Sequence, residues 1–288
     1  MMNYPNIAIT AATGTLGTKV QNRLYDNGVP FVAISRNKPE NIQKDNFRSA
    51  DFLDLQKLKM ALEGVDTVFF NVPLSPDMEQ MTENFVKAAL DVGVKRIIKL
   101  SVLNADSKSE VNLWKWHGIS EDLIVESGIE HLFLRSANFM QNFQNFYGET
   151  IRHDGAFYLP HGNAKVNLID VEDLAEVVSF LLTKKSFDTD MYQLTGHSYT
   201  KNEIASIFTN VLGKEIFYVD VPEDVAEESM LDSGMPEWMV EVFMQFNKKC
   251  KEGKVDINTD HVMKILGRGP HYFNTYIKNN SNHFIPEE

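Results

Sequence analysis

Five short apolar runs punctuate the first half of the chain: Ile7–Thr10, Phe31–Ser35, Thr67–Asn71, Arg96–Leu100 and His131–Arg135. Runs this brief, bounded by turn residues, predict parallel strands covered on both faces. Between them, apolar residues recur every three to four positions in Thr18–Asn27, Leu55–Leu62, Met78–Val92 and Trp114–Ser127, which predicts amphipathic helices. Glycine closes these segments, as Asn27-Gly28, Glu63-Gly64, Val92-Gly93 and Ser127-Gly128, where a helix stop is needed. Strand and helix in alternation build βαβ units, and right-handed crossovers wind them into one sheet with helices on both sides. The expected fold is α/β, a doubly wound parallel sheet.

The pattern loosens after Arg135. Residues 139–158 are rich in Phe, Asn and Tyr and carry Gly148 and Gly155. Helical periodicity returns over Asp170–Leu182, Met191–Thr195 reads as one more strand, and Lys201–Leu212 is a helix stopped by Gly213. Beyond Val221 come helices and loops punctuated by Pro222, Pro236 and Pro270. The expected organisation is a nucleotide-binding domain over 1–155 and a smaller α/β C-terminal lobe over 156–288, with Asp170–Thr195 rejoining the first sheet.

The formal net charge of -12 speaks against a nucleic-acid partner, whose phosphates need clustered Lys and Arg. Lys184-Lys185 and Lys248-Lys249-Cys250-Lys251 read as solvated helix ends. Cys250 is the single cysteine, so no intrachain disulfide forms and a reducing compartment suits the chain. With no secretory pattern after Met1 and no apolar run of ~18 residues, the expectation is a cytoplasmic protein without a membrane segment. The eight His residues show no metal-ligand spacing backed by carboxylates, so no metal is expected.

Ile7-Ala-Ile-Thr-Ala-Ala-Thr-Gly-Thr-Leu-Gly17 is a strand running into a glycine turn and then a helix, the context a dinucleotide turn requires. Thr10, Ala12, Thr13, Gly14, Thr15, Leu16 and Gly17 form the expected cradle for the pyrophosphate. Gly14 lets backbone approach the phosphates, and Gly17 lets helix pack on strand. Ala11 stands where a first glycine usually makes the sharp bend; it fits freely if its φ is negative and costs ~1 kcal/mol if positive. The bland alternative is a strand-to-helix turn that holds nothing. Against it, the second strand ends Ser35-Arg36-Asn37-Lys38, with no carboxylate before Glu40. A guanidinium at that place pairs with a 2′-phosphate, which selects NADP(H) over NAD(H). Asp51 and Phe52 follow a short third strand, where a carboxylate accepts from an adenine amino group and a ring flanks the base. Val72 and Pro73 stand at the end of the fourth strand, along the same groove.

Taken in order, these motifs resemble the NmrA-like atypical short-chain dehydrogenases, and within them bacterial NAD(P)H:quinone oxidoreductases and triphenylmethane reductases. Further segments fit the resemblance: Gly93-Val94-Lys95, Leu100-Ser-Val-Leu-Asn-Ala-Asp106, His117-Gly-Ile-Ser-Glu121, Leu134-Arg135, Asn138-Phe-Met-Gln-Asn142, Tyr192-Gln-Leu-Thr-Gly196 and Leu266-Gly-Arg268. The resemblance covers nearly the whole chain. It implies a Rossmann domain binding NADP(H), with Asn138, Phe139 and Asn142 beside the cofactor, and a small lobe completing a pocket over the nicotinamide. Ala11 is the departure from the pattern and bears on cofactor affinity.

The Tyr-x-x-x-Lys pair of ordinary short-chain dehydrogenases is absent, which counts against a sugar epimerase or alcohol dehydrogenase. Hydride transfer to a planar acceptor asks less of the protein, mainly orientation and an apolar slot. His117 is the candidate catalytic residue, matching a histidine of the relatives. Glu121, one turn on, is expected to orient the imidazole or favour its charged form. Trp114, Trp116, Phe139, Phe143 and Phe146 are candidates for an aromatic slot around a small planar substrate, or plain core. Three functions stay open: an NADPH-dependent reductase of quinones or similar electrophiles, an NADP-binding redox sensor without turnover, and an epimerase-like protein. A homodimer or a regulatory protein partner stays open with them.

Overall fold

The computed structural model describes residues 6–38 and 46–286; Glu40 lies outside the described residues. The chain forms two compact units, Met1–Ser136 with Leu174–Gln193, and Ala137–Asp173 with Leu194–Glu288.

The first unit opens with β1 (Ile7–Ile9), α1 (Thr15–Asp26), β2 (Phe31–Ser35), β3 (Phe47–Ser49) and α2 (Leu55–Leu62). It continues with β4 (Thr67–Phe70), α3 (Met78–Val92), β5 (Arg96–Val102), α4 (Asn112–Glu126) and β6 (Glu130–Ser136). The second unit follows with β7 (Asn138–Phe139), α5 (Asn142–Asp154), β8 (Ala156–Leu159) and β9 (Val166–Ile169). Most of α6 (Val171–Leu182) and of β10 (Met191–Leu194) return to the first unit. The seven strands there lie in the order β10-β6-β5-β4-β1-β2-β3, and the neighbours from β3 across to β6 pair in parallel. This is the doubly wound Rossmann order, in which the chain reverses direction of travel between β1 and β4, leaving a crevice at the strands' carboxyl ends.

Side chains alternate across this sheet. On one face Ala8, Ile34, Val68, Phe70, Ile97 and Phe133 pack against Leu58 and Leu62 of α2, Phe85 and Ala89 of α3 and Ile124 of α4. Phe70 stacks on Phe85 at 4.0 Å. By the same alternation Ile7, Ile9, Phe69 and Ile98, all buried, turn to the other face. Helix α1 begins at Thr15, earlier than its apolar period predicts. Gly17 is small enough to sit against Ala12, so the first turn forms directly on the strand end.

The second unit adds β11 (His197–Tyr199), α7 (Lys201–Leu212), β12 (Phe217–Asp220), α8 (Glu223–Asp232), α9 (Glu237–Lys251), α10 (His261–Leu266) and α11 (Phe273–Asn279). Its sheets are β11-β9-β7 and β12-β8. The chain enters this unit at Ala137, ahead of the boundary expected at 155. The reason is α5: its Phe143 contacts Phe157, Phe208 and Phe273 ring to ring at 5.2–5.9 Å, so residues 142–154 belong to this aromatic core.

Gly118 fixes where α4 rests. A Cβ there would come within 2.1 Å of the Ser107 backbone nitrogen and 2.3 Å of the Asp106 carbonyl carbon. Gly118→Ala is therefore expected to lose about 2 kcal/mol, the usual range for forced overpacking. Urea titration checks it, and an unchanged midpoint would show that this loop yields.

Candidate functional site

At the end of β1 the backbone is held by its neighbours. Thr10 Oγ1 accepts the Asn71 N–H at 2.9 Å and lies 2.9 Å from the Asn71 carbonyl and 3.2 Å from that of Phe69, so it laces β1 to β4. The Ala12 N–H donates to Ile34 at 3.2 Å, and the Ala12 carbonyl accepts the Gln21 amide at 2.5 Å. Thr10 and Ala12 are fully buried and shape the turn from below. Between them Ala11 has φ +46°, so the strained alternative holds, at a cost of about 1–2 kcal/mol. The strained conformer aims the Ala11 carbonyl at the helix start, where it accepts the Gly14 N–H at 3.0 Å. A Cβ at Gly14 would lie 3.3 Å from this oxygen, and one at Gly17 only 2.5 Å away. Backbone therefore fills the place of side chains on both sides of the turn.

Above this floor Thr13, Gly14 and Thr15 are exposed, while Leu16 and Gly17 are buried. Gly14 is the N-cap of α1; no side chain caps it, and the first turn carries no acidic residue. The opening amides of a helix have no partner within the helix and carry a partial positive charge, which suits an anion. A glycine-lined, uncapped helix start fits a pyrophosphate.

The other expected contacts fall at the carboxyl ends of adjacent strands. Arg36 follows β2 and is exposed, with its carbonyl held by Ser49 Oγ at 3.0 Å. It has no ion-pair partner among the described residues. Asp51 follows β3, and its Oδ1 accepts the Leu53 N–H at 2.9 Å, closing the turn into α2. Phe52 packs edge-on to Phe70 at 5.7 Å. Val72 is buried and Pro73 exposed just beyond β4. The strand order brings all of these to one edge of the sheet.

One strand further along lies a buried polar cluster. Lys99, at the middle of β5, is 0% exposed. Its Nζ donates to the Leu100 carbonyl at 3.0 Å and lies 3.2 Å from His117 Nδ1. His117 is 8% exposed. Its Nε2 has no hydrogen-bond partner among the described residues, nor is it one of their sealed, unpartnered atoms.

Glu121 does not orient His117. Its Oε1 accepts Ser101 Oγ at 2.5 Å and Arg135 Nε at 3.1 Å, and its Oε2 accepts Arg135 Nη2 at 2.5 Å. The carboxylate is spent on a bidentate clamp joining α4 to β5 and β6. Nor is the imidazole charged: burial and then the Lys99 cation push its pKa well below 6.5. Burial likewise brings Lys99 down to about 7, with Glu121 opposing and Arg135 assisting. The expectation of a protonated His117 supported by Glu121 is thus replaced by a neutral His117 facing a lysine.

Lys99 and Ser101 were absent from the sequence candidates. A signal existed, since a lysine inside a strand whose neighbours are all apolar is rare unless paired. Trp116 packs against the core of the first unit and Trp114 is half-buried. In the second unit Asn138, Phe139 and Asn142 are half-buried, in β7 and at the start of α5. Phe143 is 3% exposed within the aromatic cluster, which makes it core there and leaves it no surface for a substrate. Phe146 is exposed and packs edge-on to Phe243 at 5.2 Å. Among the described residues no group of three or more His, Cys, Asp or Glu could hold a metal ion, and no helix is long and apolar enough to cross a membrane.

Sheet order and glycine turn define a Rossmann protein of the dinucleotide-binding type. Residues 4–277 match the NmrA-like family, and the chain belongs to it. It is 30% identical over 277 residues to the NAD(P)H azoreductase of Xenophilus azovorans, spanning 94% of this chain and 96% of that one. Its structure resembles the NADPH-dependent quinone oxidoreductase of Escherichia coli complexed with NADPH, with a TM-score of 0.85 and 25% identity over 96% of this chain and 100% of that one. It also resembles the Citrobacter sp. triphenylmethane reductase complexed with NADP(H), with a TM-score of 0.81 and 26% identity over 95% and 99% of the two chains. These homologues are reductases or oxidoreductases that work with or bind a nicotinamide dinucleotide.

The depressed Lys99 pKa has a thermodynamic consequence. Unfolded, the lysine holds its proton up to about 10.5; folded, it gives it up near 7. The unfolded state therefore binds more protons between these values, and this group makes stability rise with pH, by about 1.4 kcal/mol per unit at most. Lys99→Met is expected to be more stable than the parent at pH 6 and to lose that advantage toward pH 10. Parallel denaturation curves across this range check it, and a constant difference would contradict the burial of a titrating amine.

Proposed function

We propose that this protein is an NADPH-dependent reductase that delivers hydride to a quinone or a similar planar electrophile. The observation that carries the reading is the uncapped, glycine-lined start of α1 with Arg36 at the end of the neighbouring strand. The first feature suits a pyrophosphate and the second a 2′-phosphate. Thr13, Thr15, Leu16 and Gly17 would hold the pyrophosphate through backbone N–H groups, with Gly14, its own N–H given to Ala11, leaving room for the phosphates and Thr10, Ala11 and Ala12 fixing the turn beneath. Asp51, Phe52, Val72 and Pro73 would flank the adenosine side. Asn138, Phe139 and Asn142 are assigned to the cofactor by family resemblance alone.

When bound, NADPH supplies the hydride. What the chain would contribute at the acceptor is a hydrogen-bond donor: a neutral imidazole whose Nδ1 accepts from the Lys99 ammonium, 3.2 Å away, would carry its proton on Nε2. Such a donor stabilises the negative charge that grows on an acceptor oxygen. An azoreductase, a quinone oxidoreductase and a triphenylmethane reductase among the similar proteins support a conjugated acceptor. The acidic chain gives no support to a nucleic-acid partner.

Absorbance loss of NADPH, followed with and without a benzoquinone, tests the reading. Turnover is expected, and His117→Ala should lower kcat roughly 100-fold, the lower bound for loss of a general acid. Saturable NADPH binding with no acceptor reduced across a quinone and dye panel would turn the reading toward a dinucleotide sensor. Absence of any saturable binding would end it. Separately, Arg36→Asp is expected to erase the preference for NADPH over NADH; an intact preference would assign the phosphate to another residue.

A further inference from the structure

Lys99 is a buried amine one hydrogen bond behind the ring on which the proposed chemistry depends. Its surroundings leave it few partners. Its register neighbour on β4 is Phe70 and on β6 Phe133, both apolar. From α4 it faces His117 and, further off, Glu121; from β6 it feels Arg135. Glu121 is already engaged by Arg135 and Ser101, and among the described residues no carboxylate hydrogen-bonds the Lys99 amine. Its Nζ donates to the Leu100 carbonyl at 3.0 Å and lies 3.2 Å from His117 Nδ1.

We propose that Lys99 is the positioning residue and internal proton store of His117: it pins the imidazole as the Nε2–H tautomer and refills it through Nδ1 when Nε2 gives up its proton. The chemical purpose of this device rests on the reductase reading above; the device itself does not.

The proton balance closes. A bound reduced nicotinamide would supply the hydride, and what falls to the chain is the proton for the oxyanion that an oxygen acceptor would then carry. The Nε2–H bond of His117 breaks and its proton goes to that oxygen. A new Nδ1–H bond forms with a proton from the Lys99 ammonium, which becomes a neutral amine. The ring is neutral before and after, with its proton moved from one nitrogen to the other. Recovery takes one proton from water at Nε2 and returns the Nδ1 proton to Lys99.

A neutral imidazole alone is far too weak an acid for this step. Coupled to the lysine, the pair gives up its proton with the acidity of the ammonium, which burial has brought to about 7, near the pH at which a general acid works best. At lower pH the charged lysine can only donate, and the ring has one tautomer. Once the lysine is neutral its lone pair can accept, and the Nδ1–H tautomer becomes available.

Nitrogen-15 NMR of the His117 ring in cofactor-free protein tests the device, with assignment by His117→Gln. At pH 6 the parent is expected to show a neutral ring protonated only on Nε2, with the second tautomer growing in as pH passes 7. In Lys99→Met the change near pH 7 should vanish, and the ring should take up a second proton at higher pH than in the parent. A parent ring carrying its proton on Nδ1 at pH 6, or charging near 6.5, would overturn the proposal. So would a Lys99→Met ring that behaves as the parent does. Should the Met variant not fold, the two parent outcomes still decide. If an acceptor is reduced, kcat of the parent should fall as pH rises through 7, while that of Lys99→Met should be lower and flat there. A parent kcat that stays level through this range would refute the proton store. Failure to reduce any acceptor would count against the reductase reading alone, because the ring states are measured without it.

Discussion

The carboxylate of Glu121 is the point on which the first unit's chemistry turns. It reaches from α4 to Ser101 on β5 and, through two bonds, to Arg135 on β6. Removing one partner of such a pair leaves an uncompensated charge in a largely dry place, a loss of about 3 kcal/mol or more. The clamp fixes the rotation of α4 about its axis, and His117 is carried one helical turn before it. Gly118 lets the same helix lie against the backbone of residues 106 and 107. Both hold the helix from which the imidazole meets the lysine.

Within the first unit much was legible in the chain. The short apolar run and the period-3.6 patterns place β2, α2 and α3 at their observed ends, because each is bounded by a residue with one clear structural meaning. Helix α5 was hidden by its composition. Phe, Asn and Tyr are indifferent helix formers, and what makes the segment a helix is the aromatic core it joins, which lies far away in sequence. The division between the two units falls at Ala137, ahead of residue 155, for that same reason.

The candidate site divides along similar lines. The glycine turn and Arg36 can be read locally, since their meaning depends on neighbours a few residues away. His117 was legible as a residue but not in its state. Its charge is decided first by burial and then by Lys99, eighteen positions earlier and on another element. Spacing on one helix pointed to Glu121, whereas the fold had already given that carboxylate to an arginine. Which partner a polar side chain takes is a tertiary fact when several are within reach.

The uncapped start of α1 also sits oddly with the charge of the whole molecule. A chain of formal charge -12 surrounds that small electropositive mouth with a repulsive atmosphere for any polyanionic dinucleotide. Near attraction is short-ranged and partly shielded by the backbone, whereas the global field reaches about a Debye length, roughly 10 Å at 0.1 M ionic strength. Added electrolyte thus damps the far repulsion more than the near pull, so encounter quickens as salinity increases, opposite to the steering found in proteins whose overall charge matches their site.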